Sequence, residues 1–318
     1  MVTGGLLEIN AQWALYGKKA NSEAYHILSS SIGALSRANF EDALSRFLLG
    51  ELDTLPEVSV SYARLGGQHG DGYLSLAINE FAAHGRRTAR DQRGRQITYT
   101  SYFCLPYRPL AERAIGYVSA YEALRGVRLP ETAGPPLRVA VAPPTVRMLA
   151  IDPLAMRVAA LLLTGRPVCV LGAEVTSTDE RLCFIDAVMN LLPYGLRAKM
   201  AAATWTRATH SGHRFRLFFS SAPRLGSQPD HVVIWGEPDR VTIPDGPSTE
   251  YLTWLEHNVG PFARLAGLTS EMGFGPKDTL QVLELALSRS ASLPPALARA
   301  AASAGPAAIP DHSVPDHD

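Results

Sequence analysis

Cysteine is scarce in this chain of 318 residues: Cys104, Cys169 and Cys183 form an odd, widely spaced set with no C-x-x-C pair. That excludes a disulfide framework and a thiolate zinc site. Net charge is absent, because 30 basic and 30 acidic residues cancel. A global field of the kind that coats nucleic acid or an anionic membrane is therefore excluded, and only local patches remain. Lysine is nearly missing, with Lys18, Lys19, Lys199 and Lys277 the only ones among those 30 basic residues. No apolar run is long enough to span a bilayer: the longest, Val158 to Ala173, is broken by Gly165, Arg166 and Pro167, well short of the ~20 residues required. The opening MVTGGLLEINAQ has no cationic segment ahead of an apolar one. The expectation is a soluble, cytoplasmic protein.

What is present suffices for a core. Apolar residues make up 46% and charged residues 19% of the chain, which excludes wholesale disorder. The fold class expected is mixed α+β / α/β, two domains each with a β-sheet and packed helices. In the first, 8–128, strands are read at 11–19, 24–33, 57–65, 73–81 and 97–105. Asn39 is a plausible N-cap for a helix with a Phe40, Ala43, Leu44, Phe47, Leu48 stripe, and Pro109 opens a second helix carrying Leu110, Ala114, Tyr117, Val118, Tyr121 and Leu124. Glu57–Leu65 alternates valine and serine as a half-buried strand does. LPETAGPP, at 129–136, reads as a linker. In the second domain, 137–287, strand and helix alternate: LRVAVAP, a helix over 152–163, the doubly buried run PVCVLGA, and a helix opened by the Ser177-x-x-Glu180 capping box. Strands MAAATWT, HRFRLFFSS and HVVIWG and two further helices follow. Residues 288–318 read as a disordered tail.

Strings that carry chemistry are few. No GxxxxGK[ST] phosphate loop occurs, nor a GxGxxG between strand and helix. GGQHGDGY, with His69 and Asp71, lies between two strands and reads as a hairpin connection. His210-x-x-His213 has no third ligand at regular spacing and reads as an exposed hairpin. Cys104 and Cys169 fall in apolar strands and Cys183 beside a helical stripe, and Ser29–Ser31 lacks a nucleophile elbow. No catalytic residue, metal site or cofactor is implied. Two segments stand out. HGRRTARDQRGR holds Arg86, Arg87, Arg90, Arg93 and Arg95 against Asp91 alone, but has no aromatic residue for stacking between Phe81 and Tyr99. Leu191–Arg224 interleaves Trp205, Phe215, Phe218 and Phe219 with Arg207, Arg214 and Arg216. Trp and Arg are the residue types that dominate binding energy at protein interfaces, and Arg214-Phe215-Arg216-Leu217 alternates so that its arginines share a sheet face.

A resemblance attaches to these residues. LLLTGRPVCVLGAE followed by DERLCFIDAVMNLLPYGLRAKMAAATWT resembles the middle domain of the GTPase-associated protein 1 family. Ala11–Gly33, AQWALYG…AYHILSSSIG, is similar to that family's opening pattern of a tyrosine-bearing strand, a glycine turn and a serine-ending second strand. The chain is short for the family. The resemblance implies a non-enzymatic adaptor in a bacterial conflict, antiphage-defence or signalling system, chiefly of actinobacteria. Its protein partner would be a GTPase or other NTPase encoded nearby. No functional residue carries over from the family; the anchors, Trp205, Arg207, Arg214, Arg216 and Phe218, are read from residue type alone. Two alternatives stand beside it, a nucleic-acid-associated protein using Arg86–Arg95 and a hydrolase with a dispersed Cys/Ser–His site.

Overall fold

The computed structural model describes residues 5–19, 22, 24–47, 49, 55–64, 72–81, 90–113, 115–142, 152–197, 199–206, 214–223, 230–268 and 275–291. Five strands form an antiparallel region: β1 (Leu7–Gly17), β2 (His26–Ser30), β3 (Glu57–Arg64), β4 (Gly72–Phe81) and β5 (Thr98–Pro106). β6 (Leu137–Val141), β7 (Val168–Leu171), β8 (Ala202–Ala203), β9 (Leu217–Phe219) and β10 (His231–Ile234) follow. All ten belong to one sheet, ordered β10-β7-β9-β8-β3-β4-β5-β1-β2 with β6 on β1. β10, β7, β9 and β8 run parallel, and β8 joins the antiparallel region through Ser59↔Ala203 and Val60↔Ala202 of β3. The mixed α/β class holds.

The strand between 57 and 65 forms, but both of its faces are covered: Val58 and Val60 enter the main core while Ser59 and Ser61 are buried on the other side. The serine side is tolerable because a hydroxyl finds partners; Ser59 Oγ donates to Phe47 O at 3.1 Å. That side is capped by α1 (Arg37–Phe47), whose Phe40, Ala43 and Leu44 pack on Ala14, Ala77, Tyr102 and Cys104. The cap of α1 is Ser36 rather than Asn39: Ser36 Oγ accepts from Asn39 N at 3.3 Å, and Asn39 Oδ1 accepts from Ser36 N at 2.9 Å. On the opposite face lie α2 (Tyr107–Glu112), α3 (Tyr117–Leu124), α4 (Pro153–Leu162), α5 (Thr178–Asn190) and the short α6 (Tyr194–Arg197). α7 (Pro247–Leu268) packs on α4, and α8 (Thr279–Ala291) on α7.

Further expectations change. The helix opened by Pro109 is two helices, interrupted where Gly116 caps α3. The segment 129–136 straps the first strands: Trp13 Nε1 donates to Pro135 O at 3.0 Å, Ile32 N to Gly134 O at 2.7 Å, and Ser29 Oγ to Pro130 O at 2.5 Å. β6 does not join the parallel strands; it pairs antiparallel with β1, Leu7↔Val141 to Ala11↔Leu137. Sheet and main core thus both draw on residues either side of 129–136. Finally, β8 and β9 pair parallel, so they are not the two arms of a hairpin; His210 and His213 lie outside the described residues. α8 runs to Ala291, past the expected start of the tail.

Candidate functional site

In an open parallel sheet the natural crevice lies beyond the carboxyl ends of the strands. Here, among the described residues, the protein's own side chains occupy that end at β7 and β8. β7 leads through Gly172, at φ +80°, and Ala173 into α5, whose Ser177/Glu180 capping box forms as the sequence predicts. One residue further, Arg181 turns inward with Phe184 and Val188. Its Nη2 donates to Glu57 Oε1 at 2.6 Å, and its Nη1 to Ala173 O at 3.3 Å. Both side chains are buried. Glu57 Oε2 also accepts from Thr204 Oγ1 at 2.5 Å, and Thr178 Oγ1 donates to Pro56 O at 2.6 Å. Trp205 roofs the pair, with its ring 5.1 Å from the Arg181 guanidinium carbon. Burial holds the Arg181 pKa below its ordinary value, opposed by the Glu57 charge. Arg181 Nε alone among these atoms has no hydrogen-bond partner among the described residues.

A second buried polar cluster ties α3 to α5. Asp186 accepts from Tyr117 N at 2.6 Å and so holds the N-terminus of α3. Burial pushes its carboxyl up, against the main-chain N–H groups of Tyr117 and Val118 and the Arg197 charge. Arg197 donates to Leu192 O and Asn190 Oδ1, each at 2.9 Å, and lies 4.8 Å over the Tyr194 ring. Tyr107, Tyr117, Tyr194, Asp186 and Arg197 line a space for about one water molecule, ≈ 10 Å³. It is a tightly packed joint between α3 and α5.

The anchors expected between 191 and 224 do not form one surface. Phe218 is core, 1% exposed, and Trp205 is half-buried on Arg181. Phe215 and Leu217 are buried, and Arg216 is half-buried with its Nη1 donating to Gly165 O. Among the described anchors only Arg214 is exposed. Arg214 and Arg216 stand at the amino end of β9 and Trp205 beyond the carboxyl end of its parallel neighbour β8, so they face opposite ends of the sheet. Alternating arginines looked like a strand face, but the strand begins only at Leu217. Arg207 lies outside the described residues.

Of the basic segment, Arg86 and Arg87 lie outside the described residues; Arg90, Arg93 and Arg95 are exposed. The segment connects β4 to β5. The Cys104 thiol, 3.5 Å from Ser75 Oγ, is pushed by burial up to about 12, which removes nucleophilic character at neutral pH. Cys169 is buried, and Cys183 is exposed on α5. Among the described histidines, His26 and His257 contact main-chain carbonyls, and His231 contacts Thr164 Oγ1 at 2.9 Å. Among the described residues no group of three or more His, Cys, Asp or Glu could hold a metal ion, and no helix is long and apolar enough to cross a membrane.

Sequence reasoning passed over Glu57, Arg181 and Asp186. The one available signal was Arg181 at the spacing of a buried helical stripe with Phe184 and Val188. In comparisons with known proteins, the chain matches no family model, no curated protein and no solved structure.

Proposed function

We propose that this chain is a cytoplasmic, non-enzymatic adaptor that binds a partner protein, a GTPase or other NTPase of a bacterial conflict, defence or signalling system. The partner class comes from the resemblance to the GTPase-associated protein 1 family. The docking site comes from one observation, the outer strand β10. Among the described residues it pairs only with β7. His231 N and Trp235 N donate inward, to Pro167 O and Leu171 O, each at 2.8 Å, so the N–H groups of Val232 and Ile234 point outward. Val232 is 47% exposed on this strand, and Val175, in the loop after β7, is 97% exposed. An outer strand with outward main-chain donors and apolar side chains accepts an extended apolar segment of a partner by strand addition.

The test uses Val232→Pro. Its N–H points outward, so proline removes a docking donor without taking a hydrogen bond from β7. Affinity capture with the tagged full chain, with and without nucleotide, is expected to recover an NTPase in stoichiometric amount. The Val232→Pro chain should lose at least tenfold of that recovery while its thermal melt stays within a few degrees. Equal recovery by both chains would remove β10 as the docking site, and hydrolysis of a nucleotide or peptide by the purified chain, abolished by a point substitution, would end the adaptor reading.

A further inference from the structure

The basic segment gains from the fold what it lacks in sequence, an aromatic face. The register Gly17↔His26, Tyr16↔Thr100 and Phe81↔Thr98 brings the end of β1, the start of β2, the end of β4 and the start of β5 to one end of the sheet. At that end Tyr25 stacks on Tyr16, with ring centroids 5.9 Å apart and planes inclined by 23°. Tyr25 is 38% exposed, and its hydroxyl accepts from Thr98 N at 3.3 Å, which fixes it beside the connection that carries the arginines. The one acid of that connection is turned away. Asp91, its side chain 6% exposed, pairs with Lys18 Nζ at 3.2 Å and Arg95 Nη2 at 2.9 Å, and its Oδ1 accepts from Arg93 N and Arg95 N. Burial would raise its pKa, but these main-chain donors and the Arg95 and Lys18 side chains hold it well below the carboxylate range. Outward there remain Lys19, Arg90, Arg93 and Arg95, all exposed. Arg90 contacts Gly94 O through Nη1 at 2.6 Å, one of five donors on a guanidinium.

We infer that this end of the sheet binds single-stranded nucleic acid, with a base stacked on Tyr25 and phosphates held by Arg90, Arg93 and Lys19. An acidic peptide would satisfy the cations but make no use of an exposed, pre-stacked ring. A duplex keeps its base faces inside and offers none to stack. Stacking on an aromatic platform flanked by cations is the general solution for sequence-tolerant strand binding. This inference stands independently of the adaptor reading, which uses the opposite end of the strand order.

The experiment is fluorescence anisotropy of a labelled U20 oligonucleotide with the full chain, against a 20-base-pair duplex and a polyglutamate peptide as competitors. U20 binding is expected, falling about 20-fold between 50 and 200 mM salt for three neutralised phosphates. Arg90→Glu with Arg93→Glu should weaken it at least tenfold. Tyr25→Leu should weaken it about tenfold and Tyr25→Phe should not, since the ring survives. Circular dichroism melts confirm that each variant folds. No binding of U20 at 50 mM salt overturns the inference, as does a Tyr25→Leu chain that binds like the parent. Polyglutamate competing as well as unlabelled U20 also overturns it and assigns the surface to acidic proteins.

Discussion

Neutralising Glu57 is the sharpest test of how the two strand regions are joined. Its side chain is 0% exposed and that of Arg181 5%, so Glu57→Gln leaves a guanidinium in the interior with its counter-charge gone. The Thr204 hydroxyl and the Ala173 carbonyl still offer dipoles, but no charge. Breaking one side of a buried pair costs about 3–5 kcal/mol. For a chain of this size, about 1 kcal/mol corresponds to about 2–4 °C, so Glu57→Gln should lower the Tm by roughly 6–20 °C. Arg181→Met should cost a similar amount by stranding the carboxylate. The double variant, Glu57→Leu with Arg181→Met, removes both desolvation penalties and is expected within about 2 kcal/mol of the parent, because well-packed apolar replacements of buried pairs are close to neutral. Urea and thermal unfolding followed by tryptophan fluorescence and far-UV circular dichroism measure all three. Trp205 gives a local reading, since its emission should change in the Arg181→Met chain once the guanidinium 5.1 Å from its ring is gone. A Glu57→Gln Tm within 2 °C of the parent, or single costs that simply add in the double variant, would refute the account of a desolvated, coupled pair.

Two other outcomes follow from buried contacts. A Cβ at Gly116 would stand 2.6 Å from Asp186 Oδ1, so Gly116→Ala must push the carboxylate off the start of α3 and should cost about 1–3 kcal/mol, read as a lower urea midpoint at unchanged slope. His231 has its pKa held below the ordinary value by burial and by the Arg166 charge; the unfolded chain therefore binds its proton more readily, stability should fall as pH drops through the ordinary histidine range and below, and His231→Gln should flatten that part of the pH profile.

Local signals were the most legible. The capping box at Ser177, the buried run at 167–173 and the strand at 97–105 stand where patterning puts them, because each is decided within a few residues. The order of pairing was not legible. β6 reads as the first strand of a second unit, yet it finds its partner 130 residues back, with Arg138 paired to Glu8. β8 has two residues, Ala202 and Ala203, too few to show a period, and so its parallel pairing with β9 left no local mark. Proline and glycine in 129–136 signal a break in regular structure, and a strap bonded through its carbonyls has the same composition as a linker. The arginine–aromatic interleaving of 191–224 misled for another reason: the described phenylalanines there serve the core, and among the described arginines only Arg214 is exposed. Tyr25 and Arg90 are 65 residues apart in sequence, so their meeting is a product of register alone.

The attachment of β8 to β3 also sets an order of events during synthesis. Val58 and Val60 lie on a strand whose second edge is completed only by Ala202 and Ala203. At ribosomal rates of about 5–20 residues per second, the intervening chain takes roughly 7–28 s to appear. For that interval the antiparallel strands can assemble among themselves while β3 stands as an open, valine-bearing border, the kind of edge that recruits neighbouring chains. A pause before residue 203 on the ribosome would lengthen that exposure, and a chaperone that masks strand borders would act on this half of the nascent protein first.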